Sequence, residues 1–364
     1  MRLMTLLAMA AMFAAAGPGI EAAFPALPAA PENRYGLTTE AQLTPQHRSV
    51  IERWFVEHGR SGTFPSDRGG VLIHYRAFPV PNEKGAIVLV SGRTESMLVY
   101  AELIWDLHRL NYSVYIHDHR GQGFSGGRLR DHRERGYVVT FDDYVADLEK
   151  LVRTVVQPQR HRNLYLLAHS MGGGIATLYL EKPAHAGTFK AAALVTPMHE
   201  PLLPIKGKDV TESICGIENK FGGWLDQANY VRGTPDYTVT PFRENDLTHS
   251  KVRYEMVQKV YTDRPALRVQ WPTRGWVRQA CLAGTAARDN AAKVSIPVLL
   301  LQASRDTAVR ADGQVEFCSR VQRPGVCQPW IVEQAYHAVF IEADTFRIPA
   351  LTKVLDFFGP PDRR

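Results

Sequence analysis

Cysteine is scarce in this chain: four residues in 364, Cys215, Cys281, Cys318 and Cys327, none of them in a Cys-x-x-Cys pair. Nothing therefore indicates a zinc ribbon or a thioredoxin-like redox site. Charge of one sign is also short. Lys plus Arg is 43 against 37 for Asp plus Glu, a net of +6. That is too dilute for a nucleic-acid binder, although it favours peripheral contact with an anionic membrane surface. No sequence period recurs, and Gly 28 with Pro 23 leaves no room for a collagen-like or low-complexity chain. What is abundant is core material. Hydrophobic residues make up 45% against 22% charged, and at roughly 150 residues per domain the length suits two domains or one large domain with an insertion.

The longest uncharged stretch is N-terminal. Arg2 precedes Leu3 to Ala16, fourteen residues without charge, and Gly17-Pro18-Gly19 follows. A basic start, an apolar stretch and small residues are the pattern of an export signal, here 1–23, cleaved after Ala14-Ala15-Ala16 or within Ile20 to Ala23. The alternative is a membrane anchor, but Leu3 to Ile20 spans only eighteen residues and Gly-Pro-Gly interrupts it. No cysteine sits near a cleavage site, which argues against a lipoprotein. Export would place the mature protein in the periplasm or outside the cell, where disulfides persist. Cys318 and Cys327 flank Pro324-Gly325, a turn signal that brings them together and leaves Cys215 to pair with Cys281. The alternative is four buried thiols.

Downstream, the apolar pattern alternates between two periods. Residues 24–69 read as a Pro- and Ala-rich leader and a helix opened by Thr44-Pro45 and closed by Gly59. Val71 to Val80 reads as a strand. Ile87–Val90, Val114–Ile116, Leu164–Leu167, Ala191–Val195 and Val298–Leu301 are short continuous apolar runs, as strands buried on both faces require. Between them, Leu103, Leu107 and Leu110 keep helical spacing, Thr140 with Asp143 opens a capping-box-like helix, and Gly172 to Leu180 reads as another helix. The expectation is an α/β fold: a mostly parallel sheet with helices on both faces, built from 70–196 and 291–364. From 197 to 290 the rhythm breaks. This segment, holding Trp224, Trp271, Trp276, Tyr230, Tyr237, Tyr254 and Tyr261, is expected to be a mainly helical cap or lid over the C-terminal edge of the sheet.

The strongest signal follows the run Leu164 to Leu167. Ala168-His169-Ser170-Met171-Gly172 has the form G-x-S-x-G with alanine first. A serine that attacks carbonyls must project from a tight turn, so the positions two before and two after it must be small. The Met171 N–H then faces the reacting carbonyl from a helix N-terminus. In this architecture the chain order is serine, acid, histidine. Asp306 follows the run Val298–Leu301, and His337 follows the strand-like Trp330-Ile331-Val332. Asp289 precedes the strand and Asp312 lies further into the following turn or helix, so both are poorer acids for the role. The loop Ser91-Gly92-Arg93-Thr94-Glu95 supplies a second oxyanion donor, the main-chain N–H of Arg93. In His117-Asp118-His119-Arg120-Gly121-Gln122-Gly123-Phe124-Ser125-Gly126, His-x-His lacks the Asp-His a dinuclear site would need, and no Lys-Ser or Lys-Thr completes a P-loop. It reads as a structural loop in which Arg120 ties neighbouring segments together.

These features together resemble the monoacylglycerol lipase and lysophospholipase branch of the α/β-hydrolases, from about Gly70 to Phe358. Asn245-Asp246-Leu247-Thr248-His249-Ser250, Trp271-Pro272-Thr273-Arg274-Gly275-Trp276-Val277 and Ser91 to Glu95 resemble the bacterial lysophospholipase subgroup in particular. The resemblance implies Ser170 as nucleophile, His337 as base, Asp306 as its partner, the N–H groups of Arg93 and Met171 as oxyanion hole, and no metal or organic cofactor. Two departures are Ala338 after His337, where members often have His-Glu, and the export signal. The expected activity is hydrolysis of a lysophospholipid or monoacylglycerol ester, with Trp271 and Trp276 lining the acyl path. Competing readings are a short-chain esterase, an exopeptidase, which would need an acidic pair for the free amino group, and a non-catalytic binding protein of the same fold.

Overall fold

The computed structural model describes residues 31–205, 208–209, 211, 215–216, 237–323 and 325–359. The expected signal segment, Trp224, Tyr230 and Pro324 lie outside the described residues. Ten strands are described: β1 (Arg60–Pro65), β2 (Leu72–Phe78), β3 (Gly85–Val90), β4 (Tyr112–His117), β5 (Leu164–His169), β6 (Ala191–Val195), the short hairpin β7 (Pro204–Ile205) and β8 (Lys208–Asp209), β9 (Val298–Ala303) and β10 (Cys327–Val332). Eight α-helices accompany them: α1 (Pro45–His58), α2 (Ala101–Arg109), α3 (Phe141–Leu151), α4 (Met171–Leu180), α5 (Lys251–Asp263), α6 (Arg274–Asp289), α7 (Ala311–Arg320) and α8 (Asp344–Phe358). None of the described helices is long and apolar enough to cross a membrane.

The strand order is β1-β2-β4-β3-β5-β6-β9-β10. The pairs β1–β2 and β2–β4 are antiparallel, and every later pair is parallel. The continuous apolar runs explain this. Each sends alternate side chains to opposite faces, and both faces are covered. Along β3, Ala86, Val88 and Val90 join one core with α3, α4, α6 and α7, while Ile87 and Leu89 join the other with α1, α2 and α8. The expected α/β architecture is present.

Local signals hold at several element ends. The Thr44 side chain accepts from the His47 N–H and caps α1, whose buried face is Ile51 and Phe55. At α3 the Thr140 hydroxyl accepts from the Asp142 N–H. The expected box acid, Asp143, instead turns to Arg120 at 3.1 Å.

Two parts differ from expectation. Residues 60–65 carry no apolar run, yet form edge strand β1. Only Phe64 of that strand is buried, so an edge position left almost no pattern to read. The segment 274–289, expected within the cap, is α6 of the sheet's helical layer. Trp276, Val277, Ala280, Cys281 and Ala283 pack in the core with residues of α4 and α7. The break in strand rhythm ends near Thr273, whose side chain accepts from the Trp276 N–H and caps α6. The two expected bridges, Cys215–Cys281 and Cys318–Cys327, are formed.

Candidate active site

Parallel strands end on the same edge of the sheet, and four of those ends supply the site. Ser170 follows β5, Asp306 follows β9, His337 follows β10 and Arg93 follows β3. Ser170 has φ 54° and ψ −122°, a conformation that side-chain-bearing residues rarely adopt, and it lifts Oγ out of the turn. The turn closes only because Gly172 lacks a side chain. A Cβ there would stand 2.4 Å from the carbonyl oxygens of both Val90 and Ser91.

The three polar side chains meet in order. Nε2 of His337 lies 2.8 Å from Ser170 Oγ, and Nδ1 lies 2.8 Å from Asp306 Oδ2. The other carboxylate oxygen of Asp306 accepts from the N–H groups of Ala308 at 2.8 Å and Val309 at 3.0 Å. Burial alone would raise the Asp306 pKa; the neighbouring His337 and the two N–H donors outweigh it and hold the carboxyl below its usual range. An ionised carboxylate on Nδ1 directs the proton there and leaves Nε2 to accept from the serine.

The loop after β3 is held on both sides of Arg93. Gln122 donates to the Gly92 carbonyl at 3.1 Å and accepts from the Thr94 N–H at 3.0 Å. The Gly92 N–H is taken by Glu95 and by the Tyr100 hydroxyl. The N–H of Arg93 has no partner among the described residues, nor has that of Met171 at the first turn of α4. The arginine side chain turns away, with Nη1 donating to the Gln270 carbonyl at 2.5 Å and the guanidinium 5.2 Å from the Trp276 ring centre.

Sequence reasoning gave no role to the support beneath the histidine. His169 places Nδ1 3.2 Å from Glu95 and Nε2 3.3 Å from the His337 carbonyl, which also accepts from Thr196 Oγ1 at 3.1 Å. Both ring nitrogens face acceptors, an arrangement that only the protonated ring satisfies. Accordingly, although burial opposes it, Glu95 raises the His169 pKa; His169, Tyr100 and Gly92 in turn lower that of Glu95 against its own burial. His169 and Glu95 are 74 positions apart, so no local pattern connects them.

His117 and His119 are fully buried, and desolvation lowers their pKa values to about 4 and about 3. Nε2 of His119 donates to the Ser91 carbonyl at 2.9 Å. Arg120 grips Asp147 at 2.7 and 2.8 Å and Ser66 at 2.7 Å, the structural tie expected of it.

The two tryptophans separate. Trp271 is 39% exposed and lines a cleft of about 240 Å³ with Arg93, Thr94, Tyr237, Tyr254 and Tyr261. Trp276 is buried in the core, its ring against Phe141 and the Arg93 guanidinium, and does not line that cleft. Its place on the inner face of α6 accounts for this. A larger cavity of about 380 Å³ lies between α1 and α5; neither it nor the 240 Å³ cleft has Ser170 or His337 in its wall, but the smaller one borders the loop of Arg93.

The sequence profile of the family described as serine aminopeptidase, S33, matches residues 81–344, a span that holds Ser170, Asp306 and His337. The chain belongs to this α/β-hydrolase family. Lysophospholipase L2 of Escherichia coli strain K12 is 37% identical over 293 residues, covering 79% of this chain and 84% of that protein. A monoacylglycerol lipase of Mycolicibacterium smegmatis is 26% identical over 297 residues, covering 79% and 92%. Among solved structures, a soluble variant of the monoglyceride lipase from Saccharomyces cerevisiae, in complex with a substrate analog, matches with a TM-score of 0.64. At 17% identity, over 82% of this chain and 95% of that one, it supports the fold. The branch anticipated from the loop, turn and triad residues is the one these relatives occupy.

Proposed function

We propose that this enzyme hydrolyses the carboxylic ester of a single-chain lipid, a lysophospholipid or monoacylglycerol, through an acyl-enzyme on Ser170. The carrying observation is the chain of contacts from Asp306 through His337 to Ser170, at 2.8 Å each, beside two main-chain donors without a partner among the described residues. His337 takes the serine proton as Oγ attacks the ester carbonyl. The N–H groups of Arg93 and Met171 hold the oxyanion. His337 then protonates the departing glycerol or glycerophospho oxygen, and the same nitrogen activates the water that releases the fatty acid. The exported setting belongs to this proposal as well. Two disulfides suit an oxidising compartment, and the N-terminal apolar stretch supplies the signal.

In this reading the segment from Pro197 to Thr273 is the lid, with α5 forming one wall of the cleft at Tyr254 and Tyr261. An aminopeptidase would need carboxylates around a substrate's α-amino group, and the described wall of the cleft offers only Asp246. The test is kcat/KM on a lysophospholipid, a monoacylglycerol, p-nitrophenyl butyrate and an aminoacyl p-nitroanilide. We expect one or both lipids to be preferred over the short ester. Preference for the anilide would replace the lipid assignment with a peptidase.

A further inference from the structure

Among the described residues the fully buried guanidinium groups are neutralised by carboxylates, whereas several half-buried ones, Arg76, Arg93 and Arg128 among them, donate only to uncharged carbonyls. Arg120 meets Asp147 at 2.7 Å, Arg253 meets Asp344 at 2.8 Å and Arg347 meets Asp106 at 2.9 Å. Arg93 has no carboxylate within ion-pair distance among the described residues. Among the described residues its hydrogen-bond acceptor is the neutral carbonyl of Gln270, and its guanidinium lies over the face of Trp276. The nearby acid, Glu95, is engaged by His169, Tyr100 and the Gly92 N–H. Desolvation lowers the Arg93 pKa to about 10, which still leaves a cation at neutral pH. A half-buried cation without a counter-charge is unfavourable until an anion arrives.

Arg93 lines the 240 Å³ cleft beside the loop after β3, as does Gln270, whose carbonyl accepts from the Arg93 guanidinium. The cleft wall is rich in hydroxyl and amide groups, among them Tyr237, Thr240, Asn245, Tyr254 and Gln258, so it suits a polar head group better than a hydrocarbon tail. Its aromatic rings also accept cations, since the Arg268 guanidinium lies 4.6 Å from the centre of the Tyr237 ring. The exposed Asp246 lies in the same wall.

We propose that the Arg93 guanidinium binds the phosphate of a lysophospholipid head group while the main-chain N–H of the same residue faces the ester oxygen. This rests on the lipid-ester reading above and adds the head-group class. The reach is appropriate: a glycerol backbone separates ester from phosphate in the substrate, and one arginine side chain separates N–H from guanidinium in the protein. Guanidinium carries five N–H donors, and Gln270 takes one, so a fork remains for two phosphate oxygens. Asp246 and the tyrosine rings then face the ammonium end of a zwitterionic head group.

The experiment measures kcat/KM for a lysophosphatidylethanolamine and for a monoacylglycerol with the same acyl chain, in wild type, Arg93→Met and Arg93→Lys. The main-chain donor is kept in all three. The expected result is a fall of about tenfold or more in the lysophospholipid-to-monoacylglycerol ratio for Arg93→Met, carried mainly by KM, as for loss of a hydrogen bond to a charged group. Arg93→Lys should recover part of the ratio, and it carries the test alone if Arg93→Met does not fold. An equal loss on both lipids would mean that the side chain only holds the Gln270 segment in place, and would overturn the proposal, as would an unchanged ratio. Wild type that cleaves neither lipid removes the lipid-ester reading and this proposal together. Wild type that cleaves both, with the ratio unmoved in the variants, removes this proposal alone.

Discussion

His169 sits one residue before Ser170 and does two jobs with one charge: it anchors Glu95 of the loop after β3 and supports the carbonyl of His337. The pair has a predictable pH signature. His169 has its pKa raised from 6.5, so its contribution is complete below 6.5 and is lost as pH rises through the raised value. Glu95 has its pKa lowered from 4.5, so its contribution is complete above 4.5 and is lost as pH falls through the lowered value. The melting-temperature difference between wild type and His169→Gln should therefore be widest between pH 4.5 and 6.5 and shrink as pH rises through the raised His169 value. A difference that does not change with pH would mean that His169 is not held as a cation. The turn residues around it were readable because a strained serine demands small neighbours. The His169–Glu95 contact was not, because it joins two separate strand ends.

At the scale of elements, α5 is attached to the body of the protein through Arg253. This buried side chain reaches Glu102 of α2 at 3.0 Å, Asp344 of α8 at 2.8 Å and the carbonyls of Glu342 and Thr38. Thr38 in turn donates to Asp106 at 2.6 Å, so the N-terminal leader is part of the same network. Arg253→Met would strand carboxylates in a poorly hydrated site and should cost about 3–5 kcal/mol in chemical denaturation. An unchanged midpoint would show that α5 is held by apolar contacts alone. Buried strands were legible in the sequence because hydrophobic runs carry their own signal: β3, β5, β6 and β9 all lie where apolar runs occur. It could not place α6. The apolar face of that helix, Trp276 to Ala283, reads the same whether it covers a sheet or closes a lid, and only packing against α4 and α7 decides. Arg253 carried no local signal either, since its partners lie 151 and 91 positions away.

Across the whole molecule, the two disulfides tie separate regions together. Cys318–Cys327 closes a short loop between α7 and β10, and Cys215–Cys281, with a sequence separation of 66, joins the segment between β8 and α5 to α6. On the chain-entropy account the longer loop contributes about 4 kcal/mol and the shorter about 3. Cys281→Ala paired with Cys215→Ala should accordingly lower stability more than the double replacement of Cys318 and Cys327. The opposite order in denaturant titrations would mean that strain or packing, not loop closure, dominates. The fold, the serine turn and the order of the three polar residues could be read from one chain because each is a local pattern repeated at strand ends; the cleft could not, because α5 and loops from three other parts of the sequence form it. The central claim, that Ser170 breaks lipid esters, is tested most directly by fatty-acid release from a lysophospholipid in wild type and Ser170→Ala. The account predicts release by wild type and a loss of about 10⁴-fold or more in the variant, with an unaltered melting temperature. Release by Ser170→Ala at the wild-type rate would contradict it.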